Sequence, residues 1–240
     1  MTRAAWLAGP AALALALAPG GAGAAEPGFA SAGRHVPAEV AGPPHARGAP
    51  AVVLLVGRSG LSFYRSRFDA LARRLTAAGY VVVVPRYLGK NAQEVPATVD
   101  AATLNLWRAT IHDAVAFTAG LPQVDPKRVG IVGFSLGGFA ASSESAVDPQ
   151  IAVQVIQSAG LSSSYPANPR YAPPTLIVHA ADDPEVSLQE AEALAAKVRA
   201  LGGAAELRLY PSHDHILDGE AFDRATADTI AFLDRYLKRR

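Results

Sequence analysis

The stretch VGIVGFSLGG, residues 129–138, decides the fold prediction. Its first half is an apolar run typical of a buried strand. GFSLGG fits the pattern G-x-S-x-G, which forms a sharp turn where it lies between a strand and a helix. The tight turn would exclude side chains at Gly133 and Gly137, expose Ser135, and point the Leu136 amide at a developing oxyanion. A glycine-flanked serine can also be an ordinary turn. The interpretation therefore depends on the rest of the chain.

Short apolar runs alternate with segments of helical period on both sides of this stretch. The runs are AVVLLV, YVVVVP, IAVQVIQS, TLIVHA and AELRLYP, and the longest helical segments are FDALARRLTAAG, TLNLWRATIHDAVAFTAG and SLQEAEALAAKVRALGG. Continuously apolar strands between helices indicate an α/β fold: a mostly parallel central sheet with helices on both faces. The longest irregular stretch, LSSSYPANPRYAPP, is only a loop. We therefore expect no large lid domain.

The predicted domain organisation has three parts. Residues 1–24 combine a positive start, an apolar stretch and a small-residue cleavage site, which is typical of a signal peptide. The alternative, an uncleaved anchor, is disfavoured because glycine and proline interrupt an apolar run that is shorter than a bilayer span. Residues 25–50 are rich in Gly, Pro and Ala and predict a leader with at most one weak strand, HVPAEV, so residues 51–240 form the folded domain.

Composition excludes several classes of function. Removal of residues 1–24 takes away only one charge, Arg3, which leaves equal numbers of basic and acidic residues and nothing that suggests a nucleic-acid partner. There is no cysteine, so no thiolate nucleophile or thiolate metal site is available. The phosphate-cradling patterns GxxxxGK[ST] and GxGxxG are also missing. We expect an exported protein, periplasmic or extracellular, with no cofactor and no stable membrane anchor.

A nucleophilic serine needs a base and an orienting acid, and the chain offers both at later strand ends. TLIVHA runs into ADDPEV, which places Asp182 and Asp183 at a carboxyl end, and AELRLYP is followed by SHDHIL with His213 and His215. We predict Asp183 as the acid and His215 as the base, with Asp182 as a turn or cap residue. The order Ser135, acid, histidine is that of the α/β hydrolases. The histidine pair could alternatively bind a metal, but no third ligand supports that reading.

Residues 50–240 resemble the dienelactone hydrolase family of α/β hydrolases. The resemblance lies in VVLLVGRSGL, AAGYVVVVP, DPKRVGIVGFSLGG, LIVHAADDPEV and LYPSHDHIL. The family's acid falls four residues after the histidine of LIVH and its base four after the proline of LYP, which implies Asp183 and His215. The resemblance also implies that the Arg58 amide is a second oxyanion donor. Two departures are the serine nucleophile, where the family uses cysteine, and Val56-Gly57, where related hydrolases carry His-Gly.

The function indicated is hydrolysis of small to medium carboxylic esters or lactones through an acyl-enzyme. Loops at residues 58–67 and 86–95 bring aromatic and cationic side chains toward the predicted site and favour a substrate that carries a carboxylate, although surface arginines are more often simply solvated. The predicted substrate-binding residues are Ser59, Gly60, Tyr64 and Tyr87. A peptidase, an acyltransferase or a non-catalytic periplasmic binding protein on the same fold remain alternatives.

Overall fold

A computed structural model describes residues 26–89, 95 and 99–238 of the chain. The predicted signal peptide lies outside the described residues, as does part of the loop at residues 86–95. In the described part of the chain, no helix is long and apolar enough to cross a bilayer.

Eight strands form a single sheet in the order β1-β2-β4-β3-β5-β6-β7-β8. β1 and β2 pair antiparallel, β2 and β4 pair antiparallel, and every other neighbouring pair is parallel. The mostly parallel sheet is therefore confirmed. The strands are β1 (Gly28–Ser31), β2 (Arg34–Ala41), β3 (Ala49–Leu55), β4 (Val81–Pro85), β5 (Val124–Phe134), β6 (Ile151–Gln157), β7 (Thr175–Ala180) and β8 (Ala205–Tyr210).

Five helices cover the sheet within the described residues. They are α1 (Gly60–Ala77), α2 (Ala101–Ala119), α3 (Leu136–Ser145), α4 (Leu188–Ala200) and α5 (Gly219–Leu237). α1 contacts α5 and α2 contacts α3, while each of these helices also packs on the strands. The start of α2 shows a local cause: the Asp100 carboxylate accepts the Thr103 N–H at 2.7 Å, which satisfies one of the free donors of the first turn. No separate lid domain is present among the described residues.

The central strands explain why the sequence reads as continuously apolar. In β3 every residue after Ala49 is buried, as is every residue of β4 and β7. Because helices lie over the sheet, these strands have no wet face that would require alternating polar residues. Parallel pairing also places the carboxyl ends of β3, β5, β6, β7 and β8 along one edge of the sheet, with Leu55 opposite Gly133 and Phe134 opposite Gln157. This edge carries the predicted site.

The predicted leader is wrong for residues 28–41, because they form β1 and β2 of the sheet. The weak strand HVPAEV lies within β2, and its Val36 and Ala38 are buried. Residues of β2 pair with β4, Val40 opposite Val83 among them, and the Pro37 carbonyl accepts the Arg86 N–H at 2.9 Å. Glycine and proline around β2 hid the strand in the sequence, since its stability comes from pairing with distant β4 rather than from local propensity.

Candidate active site

Ser135 lies in the turn between β5 and α3 and has a strained backbone. Its φ is 52° and its ψ is −123°, a conformation that residues with a Cβ atom rarely adopt. The turn is held from both sides: the Ser135 N–H donates to the Gln157 carbonyl at 2.9 Å, and the Ser135 carbonyl accepts the N–H groups of Gly138 and Phe139 at 2.7 and 3.0 Å. The strained turn therefore presents the serine side chain at the sheet edge.

The two glycines around Ser135 are required by close backbone contacts. A Cβ atom at Gly133 would lie 2.3 Å from the Gly137 carbonyl oxygen, and one at Gly137 would lie 2.6 Å from the Val56 carbonyl oxygen. Neither position has room for a methyl group. The structure thus gives the physical reason for the G-x-S-x-G spacing.

Three predicted residues from three strand ends form one hydrogen-bonded chain. The Nε2 atom of His215 lies 2.8 Å from the Oγ atom of Ser135, and its Nδ1 atom lies 3.0 and 2.9 Å from the two carboxylate oxygens of Asp183. A carboxylate can only accept, so Nδ1 carries the proton and Nε2 is left to accept the Ser135 hydroxyl proton. The His215 residue is only 5% exposed. The three side chains thus have the spacing that a serine nucleophile, its base and an orienting acid require.

Asp183 is fixed in its ionised form by backbone donors. Its Oδ1 atom accepts the N–H groups of Glu185 and Val186 at 2.8 and 3.0 Å. Burial alone would raise the pKa of Asp183, but these two N–H groups and the His215 ring outweigh burial and lower the pKa. Asp182, the alternative acid, is exposed and lies 3.3 Å from His213 instead. The structure brings Asp183, and not its neighbour, to His215.

His179 is a buried residue behind the acid. The sequence pattern around it predicts no role. Its Nδ1–H donates to the Ala180 carbonyl at 2.8 Å, while its Nε2 atom has no hydrogen-bond partner and lies 4.0 Å from Oδ2 of Asp183. The ring is therefore packed at the end of β7, next to the Asp183 carboxylate.

The loop between β3 and α1 lies directly against Ser135. A Cβ atom at Gly57 would be 3.2 Å from the Cβ atom of Ser135, so the backbone here approaches the site closely. Ser59 is the residue before α1, and Gly60 begins the helix with a φ of +72° while its N–H donates to the Gly57 carbonyl at 3.0 Å. The Arg58 side chain is exposed. Arg58, Ser59 and Gly60 thus lie on the loop that the prediction requires.

The predicted substrate contact of Tyr87 is wrong. Tyr87 is 1% exposed, and its hydroxyl donates to the Val56 carbonyl at 2.7 Å. Burial raises the pKa of Tyr87, which keeps the hydroxyl protonated as a donor. Tyr87 therefore supports the loop that follows β3 from below. Nothing in the sequence around RYLG shows that this ring turns inward.

Tyr64 is also buried, but it lines a cleft of about 500 Å³ beside His215. Its ring meets Phe134, the residue before the nucleophile, in an edge contact with centroids 5.2 Å apart. Other residues lining the cleft are Phe63, Arg67, Glu185 and Ile216. Phe63 is the most exposed aromatic side chain of the described part of the chain and projects at the cleft. The cleft offers aromatic surface next to the base.

Most arginines that were expected to attract a carboxylate are paired with protein groups. Arg65 binds both oxygens of Glu39 at 2.7 and 2.8 Å, and Arg86 lies 3.2 Å from Glu26. Arg67 donates to the Leu217 carbonyl and lies 3.6 Å from Asp218. Besides Asp183, the carboxylate of Glu185 also lies close to the His215 ring, 3.8 Å from its Nε2 atom, and the Glu185 side chain is 67% exposed.

A cluster of possible metal ligands lies elsewhere in the described part of the chain. His112 of α2 approaches Glu144 at the end of α3 and Asp148 just after it, at 3.4 and 3.0 Å. Arg108 lies 3.5 Å from Glu144, and burial raises the pKa of that carboxyl group. The guanidinium of Arg108 thus already faces the buried carboxyl group of Glu144 as a counter-charge. His213 and His215, weighed above as metal ligands, are engaged by Asp182 and by Asp183 and Ser135.

One residue that touches this site was missed in the sequence. Ser158 follows β6, and its hydroxyl donates to the His215 carbonyl at 2.7 Å. A single serine after the apolar run IAVQVIQ carries no pattern that distinguishes it from a turn residue.

The chain matches the model of one protein family over most of its length. The model of the dienelactone hydrolase family matches residues 36–231. The quorum-quenching protein AidA of Acinetobacter baumannii is 33% identical over 126 residues, which span 50% of this chain and 40% of that protein. The dienelactone hydrolase of Anabaena variabilis aligns with a TM-score of 0.69 and 20% identity over 87% of this chain and 95% of that one. Est1E of Butyrivibrio proteoclasticus, solved with ferulic acid, aligns with a TM-score of 0.70 and 17% identity over 88% of this chain and 98% of that one.

Proposed function

Because the chain belongs to the dienelactone hydrolase family, we propose that it is a serine hydrolase that cleaves carboxylic esters or lactones of small to medium size. The observation that carries the proposal is the hydrogen-bonded chain from Asp183 through His215 to Ser135, with Oγ of Ser135 at 2.8 Å from Nε2. A base within hydrogen-bond reach is the first requirement for a serine nucleophile. The strained Ser135 backbone at the sheet edge supports the same role.

In the proposed first step, His215 takes the proton of Ser135 as Oγ attacks the carbonyl carbon. Asp183 holds the Nδ1–H of the ring and stabilises the imidazolium that forms. The N–H groups of Leu136 and Arg58 bind the oxyanion, each contributing about 3 kcal/mol to transition-state stabilisation. His215 then returns the proton to the departing alcohol oxygen, and the acyl group stays on Ser135.

In the second step, water replaces the alcohol. His215 accepts a proton from the water as its oxygen attacks the acyl carbon, and the same proton returns to Ser135 when the ester bond to the enzyme breaks. The free carboxylic acid leaves. In a lactone the alcohol and the acid belong to one molecule, so the product is a hydroxy acid. Both steps use the same three side chains, and the cleft beside His215 is the space proposed for the substrate.

The test is covalent labelling of the purified protein with a fluorophosphonate probe, alongside hydrolysis of short nitrophenyl esters. The unmodified protein is expected to be labelled and to turn over ester. Ser135→Ala removes the nucleophile and should abolish labelling and lower kcat by about 10⁴-fold or more. Absence of labelling in folded unmodified protein would contradict the proposal and favour a binding protein on this fold.

Substrate charge gives a second prediction. The Glu185 carboxylate near His215 should repel an anionic substrate, an effect of about 1 kcal/mol for partly solvated charges a few ångströms apart. Glu185→Gln is therefore expected to raise kcat/KM for a nitrophenyl ester with a free carboxylate about fivefold relative to nitrophenyl acetate. The backbone N–H of residue 185, which donates to Asp183, is kept in this variant.

The ratio of the two efficiencies is the measured quantity, so a general effect on the base cancels. Asp214→Asn is the matched control: Asp214 also lines the cleft, but the carboxylate that lies 3.8 Å from Nε2 of His215 belongs to Glu185, so the ratio should stay the same. The gain in the ratio should also shrink as salt is added. An unchanged ratio for Glu185→Gln would contradict the role of this carboxylate in selection.

A further inference from the structure

Ser158, the first residue after β6, combines complete burial with an unusual backbone. It is 1% exposed and has a φ of 49°, in the left-handed region that favours glycine. Its N–H donates to the Val178 carbonyl at 2.8 Å, so the backbone is fixed between β6 and β7. A serine held in a conformation that glycine would adopt more easily raises the question of what its side chain contributes.

The Ser158 hydroxyl holds the main chain of the base. Its Oγ atom donates to the His215 carbonyl at 2.7 Å, within the loop between β8 and α5. Other contacts hold the His215 ring: the carboxylate of Asp183, the hydroxyl of Ser135 and the tilted ring of Phe134, whose centroid lies 5.1 Å away. The hydroxyl thus anchors the backbone from which the ring projects.

The surroundings make this anchor more important. A cavity of about 40 Å³ lies between α1, α5 and the sheet, and it is lined by Ser158, Phe134, Ile216 and Leu217 among others. Ile216 and Leu217 directly follow the base, so the loop has room beside it into which it could shift. A buried carbonyl without a hydrogen bond is costly in free energy, so loss of the Ser158 donor would favour a shift of the His215 main chain.

We propose that Ser158 is a positioning residue that fixes the His215 main chain so that Nε2 stays within hydrogen-bond distance of Ser135. This role rests on the proposed function, since it acts through the base. Displacement of a catalytic group by about 1 Å can cost about 100-fold in rate. The hydroxyl that reaches this loop is carried by the left-handed backbone at residue 158.

Two substitutions separate positioning from folding. Ser158→Ala removes the hydroxyl and keeps the strained backbone, whereas Ser158→Gly removes the hydroxyl and relieves that strain. Both variants are expected to lower kcat on nitrophenyl acetate by about 10- to 100-fold with KM within about twofold, and to slow fluorophosphonate labelling in parallel. The Tm of Ser158→Gly should be equal to or higher than that of Ser158→Ala.

The control is Ser31→Ala, which removes another buried hydroxyl, at 3.3 Å from Thr110, on the edge strand β1. Its kcat should stay at the level of the unmodified protein. If Ser158→Gly is folded, labelled and as active as the unmodified protein, or if activity simply follows Tm across the three variants, the positioning role is overturned. Failure of the unmodified protein to be labelled would instead remove the proposed function, and this role with it.

Discussion

Asp183→Asn is expected to lower kcat on nitrophenyl esters by about 10⁴-fold while leaving Ser135 and His215 in place. The asparagine side chain has nearly the same shape as aspartate, but it carries no charge to stabilise the imidazolium. Its amide nitrogen can also donate to Nδ1 of His215, which would place the ring proton on Nε2, facing Ser135. The base would then be blocked by its own proton.

The neighbouring carboxylate provides a matched control. Asp182→Asn makes the same chemical change one residue away, at an exposed side chain that contacts His213 rather than His215. Its kcat is expected to stay within about twofold of that of the unmodified protein. Steady-state kinetics of the two variants, with circular dichroism to show that both are folded, decides between the two acids. Equal losses in both variants would contradict the assignment of Asp183.

The contribution of Asp183 to folding stability should depend on pH in a defined direction. The pKa of Asp183 is lowered in the folded protein, so the unfolded chain binds the proton more readily than the folded one. Its contribution to the free energy of unfolding is therefore present above the ordinary aspartate pKa of about 4 and decreases as the pH falls below it.

The grouping of these three residues can be inferred from the sequence because strand ends are easy to locate. Ser135, Asp183 and His215 each follow a predicted strand, and in a parallel sheet the carboxyl ends of such strands meet at one edge. The order of the three residues then fits one known arrangement. Distances of 2.8 to 3.0 Å between these side chains agree with that inference.

What the sequence did not show depends on contacts between distant residues. β2 pairs with β4, some forty residues later, and its own letters resemble a loop. Tyr87 points inward because the Val56 carbonyl offers a hydrogen bond. Ser158 has a left-handed backbone, and its hydroxyl donates a hydrogen bond to the His215 carbonyl. In each case a hydrogen bond or a strand pairing between distant parts of the chain decides the role, and the periodicity of the sequence does not show it.

The glycine after the nucleophile leads to a prediction about folding. Gly137→Ala would place a methyl group 2.6 Å from the Val56 carbonyl oxygen and 2.7 Å from that of Leu55. Both oxygens belong to backbone at the end of β3. The Val56 carbonyl also accepts the Tyr87 hydroxyl, so a shift of this backbone would disturb that hydrogen bond as well. We expect the free energy of unfolding to fall by about 3 kcal/mol or more.

Urea denaturation followed by the fluorescence of buried Trp107 measures this loss. Gly120→Ala is the control, because a Cβ atom there lies no closer than 3.4 Å to any neighbour and the residue has an ordinary φ of −81°. Its free energy of unfolding should change by no more than about 0.5 kcal/mol. If Gly137→Ala instead unfolds at the same urea concentration as the unmodified protein, the turn between β5 and α3 must tolerate movement of the loop after β3. A folded Gly137→Ala variant that has lost ester hydrolysis would then show that this loop, which carries the Arg58 amide, must stay in place for the proposed chemistry.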